Sequence, residues 1–159
     1  MSTEGTYTPF GGELERGVKY AVQWRADPRY VLCGDLTHGV VDVRDRATAA
    51  ERDYAWHIDA ATGTVTLAAA ADEHTPRVLT LLLGRTGLRP VLRRLVSPRV
   101  STQRWNWTGR ALMSHNQPAD DKLAVHVGDR SADGGYGLRM VLPTGGVPAH
   151  EWQLLRSAA

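Results

Sequence analysis

An all-β domain of twelve short strands, arranged as three repeats, is what this sequence predicts. Three observations predict it. Short segments that alternate apolar and polar residues, or are rich in β-branched and aromatic residues, recur roughly every ten residues between Gly, Pro, Asp and Asn. No long segment carries the helical period of apolar residues. Tryptophans recur at Trp56, Trp105 and Trp152, separated by 49 and 47 residues. With 159 residues, 42% hydrophobic and 23% charged, the chain fits one domain able to bury a core without disulfides or metal. Its lone cysteine, Cys33, excludes an internal disulfide framework and a cysteine zinc site.

The elements follow in order. Tyr20–Trp24 alternates cleanly, and Tyr30–Cys33, Val40–Val43, Ala55–Asp59 and Thr64–Leu67 come next. Val78–Leu83, Val91–Leu95, Gln103–Trp107 and Ala111–Ser114 form a second set. Lys122–Val127, Gly137–Leu142 and Glu151–Leu155 close the series. Ala47–Asp53 suits one helical turn inside a loop, and Ala68–Ala71 reads as strand end and loop before Asp72 and Pro76. Residues 1–17 lack strong periodicity and read as an N-terminal arm, either a flexible lead-in or a segment laid on the barrel.

Each third repeats the same phrase. A loop with Asp and Pro leads to a basic residue, an apolar strand and, 27, 28 or 30 residues after that basic residue, a tryptophan. The basic residues are Arg29, Arg77 and Lys122. Thr62-Gly63 and Thr108-Gly109 turn from one third into the next. A four-strand unit cannot bury its apolar face alone. Three around a pseudo-threefold axis close a small barrel, cap it with hairpins and leave no long exposed edge. One tryptophan per unit then fills the barrel base, its indole N–H needing an acceptor. Residues 18–159 form the single domain, with repeats at about 18–63, 64–109 and 110–157.

A threefold repeat of this length ending in a Gln-x-Trp triplet resembles the ricin-type β-trefoil (ricin B-like lectin) family over roughly residues 18–155. Gln103-Arg104-Trp105 keeps the triplet, whereas Tyr54 and Glu151 stand where the family has Gln. The resemblance implies a carbohydrate-binding module with partly degenerate sites. Each competent repeat of the family offers an Asp just after its second strand, a stacking aromatic residue, and an Asn or Gln near the triplet. In repeat one that implies Asp35, with His38 and Arg44 nearby, and no aromatic before Tyr54. In repeat two no acid is present and no family-type site is expected. In repeat three it implies His126, Asp129 and Tyr136 as the acid-and-aromatic set. Asp35 and Asp129 also suit turns in which Asp bonds its own backbone, and Tyr136 suits a loop-tip ring packed on the barrel.

Charge and catalytic motifs set the alternatives. Residues 1–73 hold 7 basic and 12 acidic residues, whereas residues 74–119 hold 8 arginines and no acid. That arginine-rich second repeat suits an anionic partner or pairing with acids elsewhere in the chain. Trp105 and Trp107 could stack bases, but no nucleic-acid motif accompanies them. No apolar run is long enough for a membrane helix, the N-terminus lacks a signal-peptide pattern, and a cytoplasmic location is expected. The six histidines form no His-x-x-x-His pair, and there is no nucleophile elbow or phosphate loop, so no metal or cofactor is expected. Cys33 reads as a buried hydrophobe. His57 with Asp59, or His38 with Asp42, would be the acid–base pair of a small biosynthetic enzyme. A protein-binding trefoil, such as a protease inhibitor, would use the loops Asp45–Asp53, Gly84–Val91, Arg94–Thr102 and Gly128–Gly137 and present Arg89 or Arg99 beside Pro90 or Pro98.

Overall fold

The computed structural model describes residues 6–71, 74–84, 87–96, 101–115, 123–132, 134–142 and 151–158. Among them run thirteen strands and one short helix. These are β1 (Tyr7–Phe10), β2 (Tyr20–Trp24), β3 (Tyr30–Gly34), β4 (Val41–Asp45), α1 (Glu51–Tyr54), β5 (Trp56–Ile58) and β6 (Val65–Leu67). They continue as β7 (Arg77–Gly84), β8 (Gly87–Arg94), β9 (Trp105–Trp107), β10 (Leu112–Ser114), β11 (Ala124–Arg130), β12 (Tyr136–Val141) and β13 (Trp152–Ser157). Twelve fall on the twelve predicted segments. The thirteenth, β1, lies in the N-terminal arm and pairs antiparallel with β13, Tyr7 opposite Ser157. Four residues interrupted by Pro9 carry no readable alternation, and proline suits an edge strand that donates few ladder bonds. Ala68–Ala70 forms a 3-10 turn rather than a loop, with Ala70 buried and Ala69 exposed.

The threefold construction is visible in the hydrogen bonds of the three tryptophans. The Trp56 indole donates to the Leu32 carbonyl at 3.0 Å, Trp105 to Leu79 at 2.8 Å, and Trp152 to Val125 at 3.1 Å. In each repeat the acceptor lies two or three residues beyond the basic residue singled out by the sequence. The three rings are buried, so an acceptor for each N–H is obligatory rather than optional. Main-chain pairing repeats as well. Trp56 faces Tyr20 across the β2–β5 ladder, and the Trp105 and Trp152 N–H groups donate to Gly63 and Arg110, each 2.7 Å away. Gly63 must be glycine: its φ is +76°, and a Cβ would lie 2.9 Å from the Trp105 carbonyl oxygen.

Closure of the barrel follows from the same register. β5 pairs β6, β9 pairs β10, and β13 returns to pair β2, with Trp152 opposite Trp24. The hairpins β3–β4, β7–β8 and β11–β12 form the cap. They touch one another where Tyr136 pairs Val43 and Val40 bridges Val91. Leu32, Leu67, Leu79, Leu112, Val125 and Leu154 join the three indoles in one apolar core. A smaller cluster on the outer side of β2 and β3 holds Val31, Cys33, Tyr54, Leu155 and Tyr7 of the arm. No helix of the described residues is long and apolar enough to cross a membrane.

Candidate functional site

Asp35 begins the turn from β3 to β4, and its carboxylate is tied twice. Oδ1 accepts the Thr37 N–H at 2.8 Å, and Oδ2 meets His38 Nδ1 at 2.8 Å. The hydrogen bond to His38, and then that to Thr37, hold the carboxyl below its ordinary value against some desolvation. Both roles weighed for this aspartate therefore bear on the same atoms, and the turn-forming role occupies both oxygens. The turn is fastened to the next repeat: Leu92 N–H donates to the Gly39 carbonyl at 2.9 Å. Gly39 has φ +72°, and a Cβ there would lie 2.8 Å from the Leu92 carbonyl oxygen.

Arg44 leaves β4 on a different side. Its Nε donates to both oxygens of Asp42, at 3.0 and 3.1 Å. It thus does not join Asp35 and His38, which sit at the far end of the same hairpin. Instead it lines a cleft of about 450 Å³ between the β4–α1 turn and the β11–β12 turn. Asp45, Thr48, Asp53, Gly134 and Gly135 complete its polar wall. Asp45 fixes the turn, its Oδ1 accepting the Ala47 N–H at 2.9 Å and its carbonyl accepting the Thr48 and Ala49 N–H groups. The Asp53 side chain, half-buried on α1, makes no hydrogen bond or ion pair with any described residue. Sequence reasoning missed Asp53. The available signal was its place directly before Tyr54, where a family of this kind carries its sugar-binding amide near the triplet.

Repeat three departs from expectation. Gly128–Gly137 is not one long loop, because β11 runs to Arg130 and β12 begins at Tyr136. The irregularity between Val127 and Arg130 is a bulge, and exposed Asp129 sits in it. Tyr136 is not a loop-tip ring. It packs edge-on against Trp24 and Tyr30, with centroids 5.3 and 5.1 Å away, and covers one end of the core. His126 lies on β11 opposite Arg139. Asp129 and Tyr136 therefore flank the hairpin turn, but the aromatic face is committed to packing.

Other residues singled out by the sequence are engaged by the fold itself. The Gln103 amide, the one family-type glutamine, is buried and structural. It donates to the Arg94 carbonyl at 2.8 Å and the Thr80 hydroxyl at 3.2 Å, and accepts the Val96 N–H at 2.9 Å. Tyr54, at the corresponding place in repeat one, is buried edge-on against Tyr7, 5.6 Å between centroids. Neither expected acid–base pair forms. His57 Nδ1 meets the Val18 carbonyl, while Asp59 holds its own turn and faces Arg16 at 3.3 Å. His38 pairs with Asp35, and Asp42 with Arg44. Burial, reinforced by Asp42, pushes the Cys33 thiol up to about 12, so it carries no reactive thiolate. Among the described residues, no three His, Cys, Asp or Glu side chains gather as a metal site. Arg89 and Pro90 lie in β8, not in a loop, because the β7–β8 ladder runs on to Gly84 and Gly87. β8 ends the sheet, and an edge tolerates proline. Arg99 and Pro98 lie outside the described residues.

Comparison of folds agrees with this architecture. The chain superposes on the β-trefoil lectin of the Vibrio vulnificus hemolysin/cytolysin, a structure with N-acetyl-D-lactosamine bound, with a TM-score of 0.60 at 14% identity, over 90% of this chain and 98% of that one. It is similar to the C-half of an earthworm R-type lectin in complex with GalNAc, with a TM-score of 0.58 at 9% identity, over 88% and 99% of the two chains. It also matches 17% of a mosquitocidal holotoxin, with a TM-score of 0.60 at 15% identity over 89% of this chain. No protein-family model matches the sequence, and no curated protein matches it in sequence. The chain has the β-trefoil fold found in ricin B-like lectins.

Proposed function

We propose that the chain is a carbohydrate-binding module whose saccharide site is the cleft bounded by Arg44, Asp45, Thr48, Asp53, Gly134 and Gly135. The observation that carries this reading is Asp53. A half-buried carboxylate that no described side chain or backbone group engages keeps acceptor capacity that a ligand can use in place of water. Sugar hydroxyls are suitable donors, and a carboxylate accepts two of them at once. Thr48 adds a hydroxyl, and Arg44, held in place by Asp42, adds guanidinium donors. Gly134 and Gly135 let a ring approach the β11–β12 backbone closely. A volume of about 450 Å³ suits one or two sugar rings. No aromatic ring lines the cleft among the described residues, so affinity rests on polar contacts and is weak for a single site. The lectins of like fold were solved with N-acetyl-D-lactosamine and GalNAc, and these neutral sugars are the first to try.

A glycan array at physiological and at high salt tests the reading. The expected result is a hit on neutral glycans that persists at high salt and disappears in Asp53→Ala with the thermal midpoint retained. Absence of any neutral glycan hit, or a hit unchanged by Asp53→Ala, would overturn it.

A further inference from the structure

We propose that the cleft between the β3–β4 turn and the β7–β8 hairpin is a second binding site, for a compact ligand carrying sulfate or phosphate esters. It lies at a different junction of the cap from the saccharide cleft and does not depend on that reading. Its volume is about 430 Å³. One wall is the turn Leu36–Val41 with His38, and the other is β8 with Arg89, Arg93 and Arg94.

The walls are joined before any ligand arrives. Gly39 accepts the Leu92 N–H, and Val40 bridges Val91. The cleft is therefore preformed, with no ordering cost for closing one repeat on the next. Alternation along β8 puts Arg89 and Arg93 on one face with Val91 between them. All three β8 arginines are exposed, and none has an ion pair with a described residue. Arg94 stands directly opposite Arg77 in the ladder. No acid lines the cleft among the described residues. Asp35, in the turn that forms one wall, is held by His38 and Thr37 and pairs with none of these arginines.

The three exposed β8 arginines give the cleft a positive field and donor forks that no described residue fills. Guanidinium groups recognise sulfate and phosphate oxygens in the paired geometry that their planar N–H groups impose. Leu36, Pro90, Val91 and Leu92 add apolar atoms to the lining, against which the C–H face of a ring would rest. The combination selects a ring bearing more than one ester anion. A nucleic-acid duplex is disfavoured, since a cleft of about 430 Å³ between two hairpins admits one or two rings and offers no continuous groove.

Titration calorimetry of the whole protein tests the site with two probes of different source chemistry, a fully sulfated heparin disaccharide and inositol trisphosphate. The unsulfated disaccharide, which keeps only its uronate carboxylate, serves as the ester-free control. The expected result is binding of at least one ester, with affinity falling as salt rises and no binding of the control. Arg89→Gln and Arg93→Gln should each weaken binding about tenfold. Arg110→Gln removes the same charge away from the cleft, where Arg110 faces Glu151 at 3.6 Å, and should leave binding unchanged. The thermal midpoint of each variant verifies folding. Failure of both esters would overturn the proposal. So would an equal loss in Arg110→Gln, or binding of duplex DNA where both esters fail. Asp53→Ala should not affect ester binding, which separates this result from the fate of the saccharide reading.

Discussion

Replacing Trp105 by phenylalanine isolates what one indole contributes to the threefold core. The substitution removes the donor that reaches the Leu79 carbonyl at 2.8 Å in a region closed to water. A buried acceptor left short of a donor costs about 1–3 kcal/mol. The smaller ring also forfeits about two buried carbons, roughly 0.8 kcal/mol each before any cavity forms. The sum is about 3 kcal/mol, a large part of the 5–15 kcal/mol that holds a typical domain together. For a domain of this size it lowers the thermal midpoint by about 6–12 °C. Urea denaturation followed by far-ultraviolet circular dichroism reads the free energy, and the slope must stay unchanged for a two-state comparison. Trp56→Phe and Trp152→Phe should cost similar amounts, because their N–H groups meet the Leu32 and Val125 carbonyls in the same way. A loss below about 0.5 kcal/mol at Trp105, within the range of a neutral surface change, would refute the assignment of these bonds as the core's obligatory polar contacts.

Further outcomes follow from the same geometry. Gln103→Leu keeps the volume but leaves the Arg94 carbonyl and Val96 N–H without their partner, and should destabilise by about 2–3 kcal/mol in urea titrations. Asp35 has a folded carboxyl below its ordinary value, so its contribution is present above about pH 4, the unfolded value, and is lost as pH falls through the folded value. Asp35→Asn should accordingly flatten the acid side of the thermal midpoint against pH, and an unchanged profile would contradict the His38 and Thr37 contacts. Cys33 should resist a thiol-disulfide reagent at about pH 8 in the native protein and react promptly in urea, since burial raises its thiol. Rapid native labelling would contradict that burial.

The fold was legible because its period is written in large residues. Three tryptophans, and a basic residue at a near-constant distance before each, mark the places where an indole N–H reaches a carbonyl of its own repeat. The site was less legible because it depends on which hairpins meet. Asp35 and His38 lie three residues apart, and their contact follows from local turn chemistry. Nothing in the sequence brings Gly134 and Gly135 to Arg44 and Asp53, since that junction exists only when β12 pairs β4. Arg89 and Tyr136 were read as loop residues because glycines surround the turns on which they border. The ladders run further than alternation suggested, up to Gly84 and Gly87 in one hairpin and from Arg130 to Tyr136 in the other. Tyr54 shows a different limit. It occupies the place of the family's glutamine, yet its role as packing for the arm appears only once Tyr7 is seen against it.

The most direct test of the saccharide assignment is a heteronuclear NMR titration of the isotope-labelled protein with the neutral glycan that an array selects. The account predicts amide shifts concentrated at Thr48, Ala49, Asp53, Gly134 and Gly135, and their loss in Asp53→Ala. Shifts centred on Gly39 and Arg89–Arg93, or no saturable shift at any neutral glycan, would contradict it.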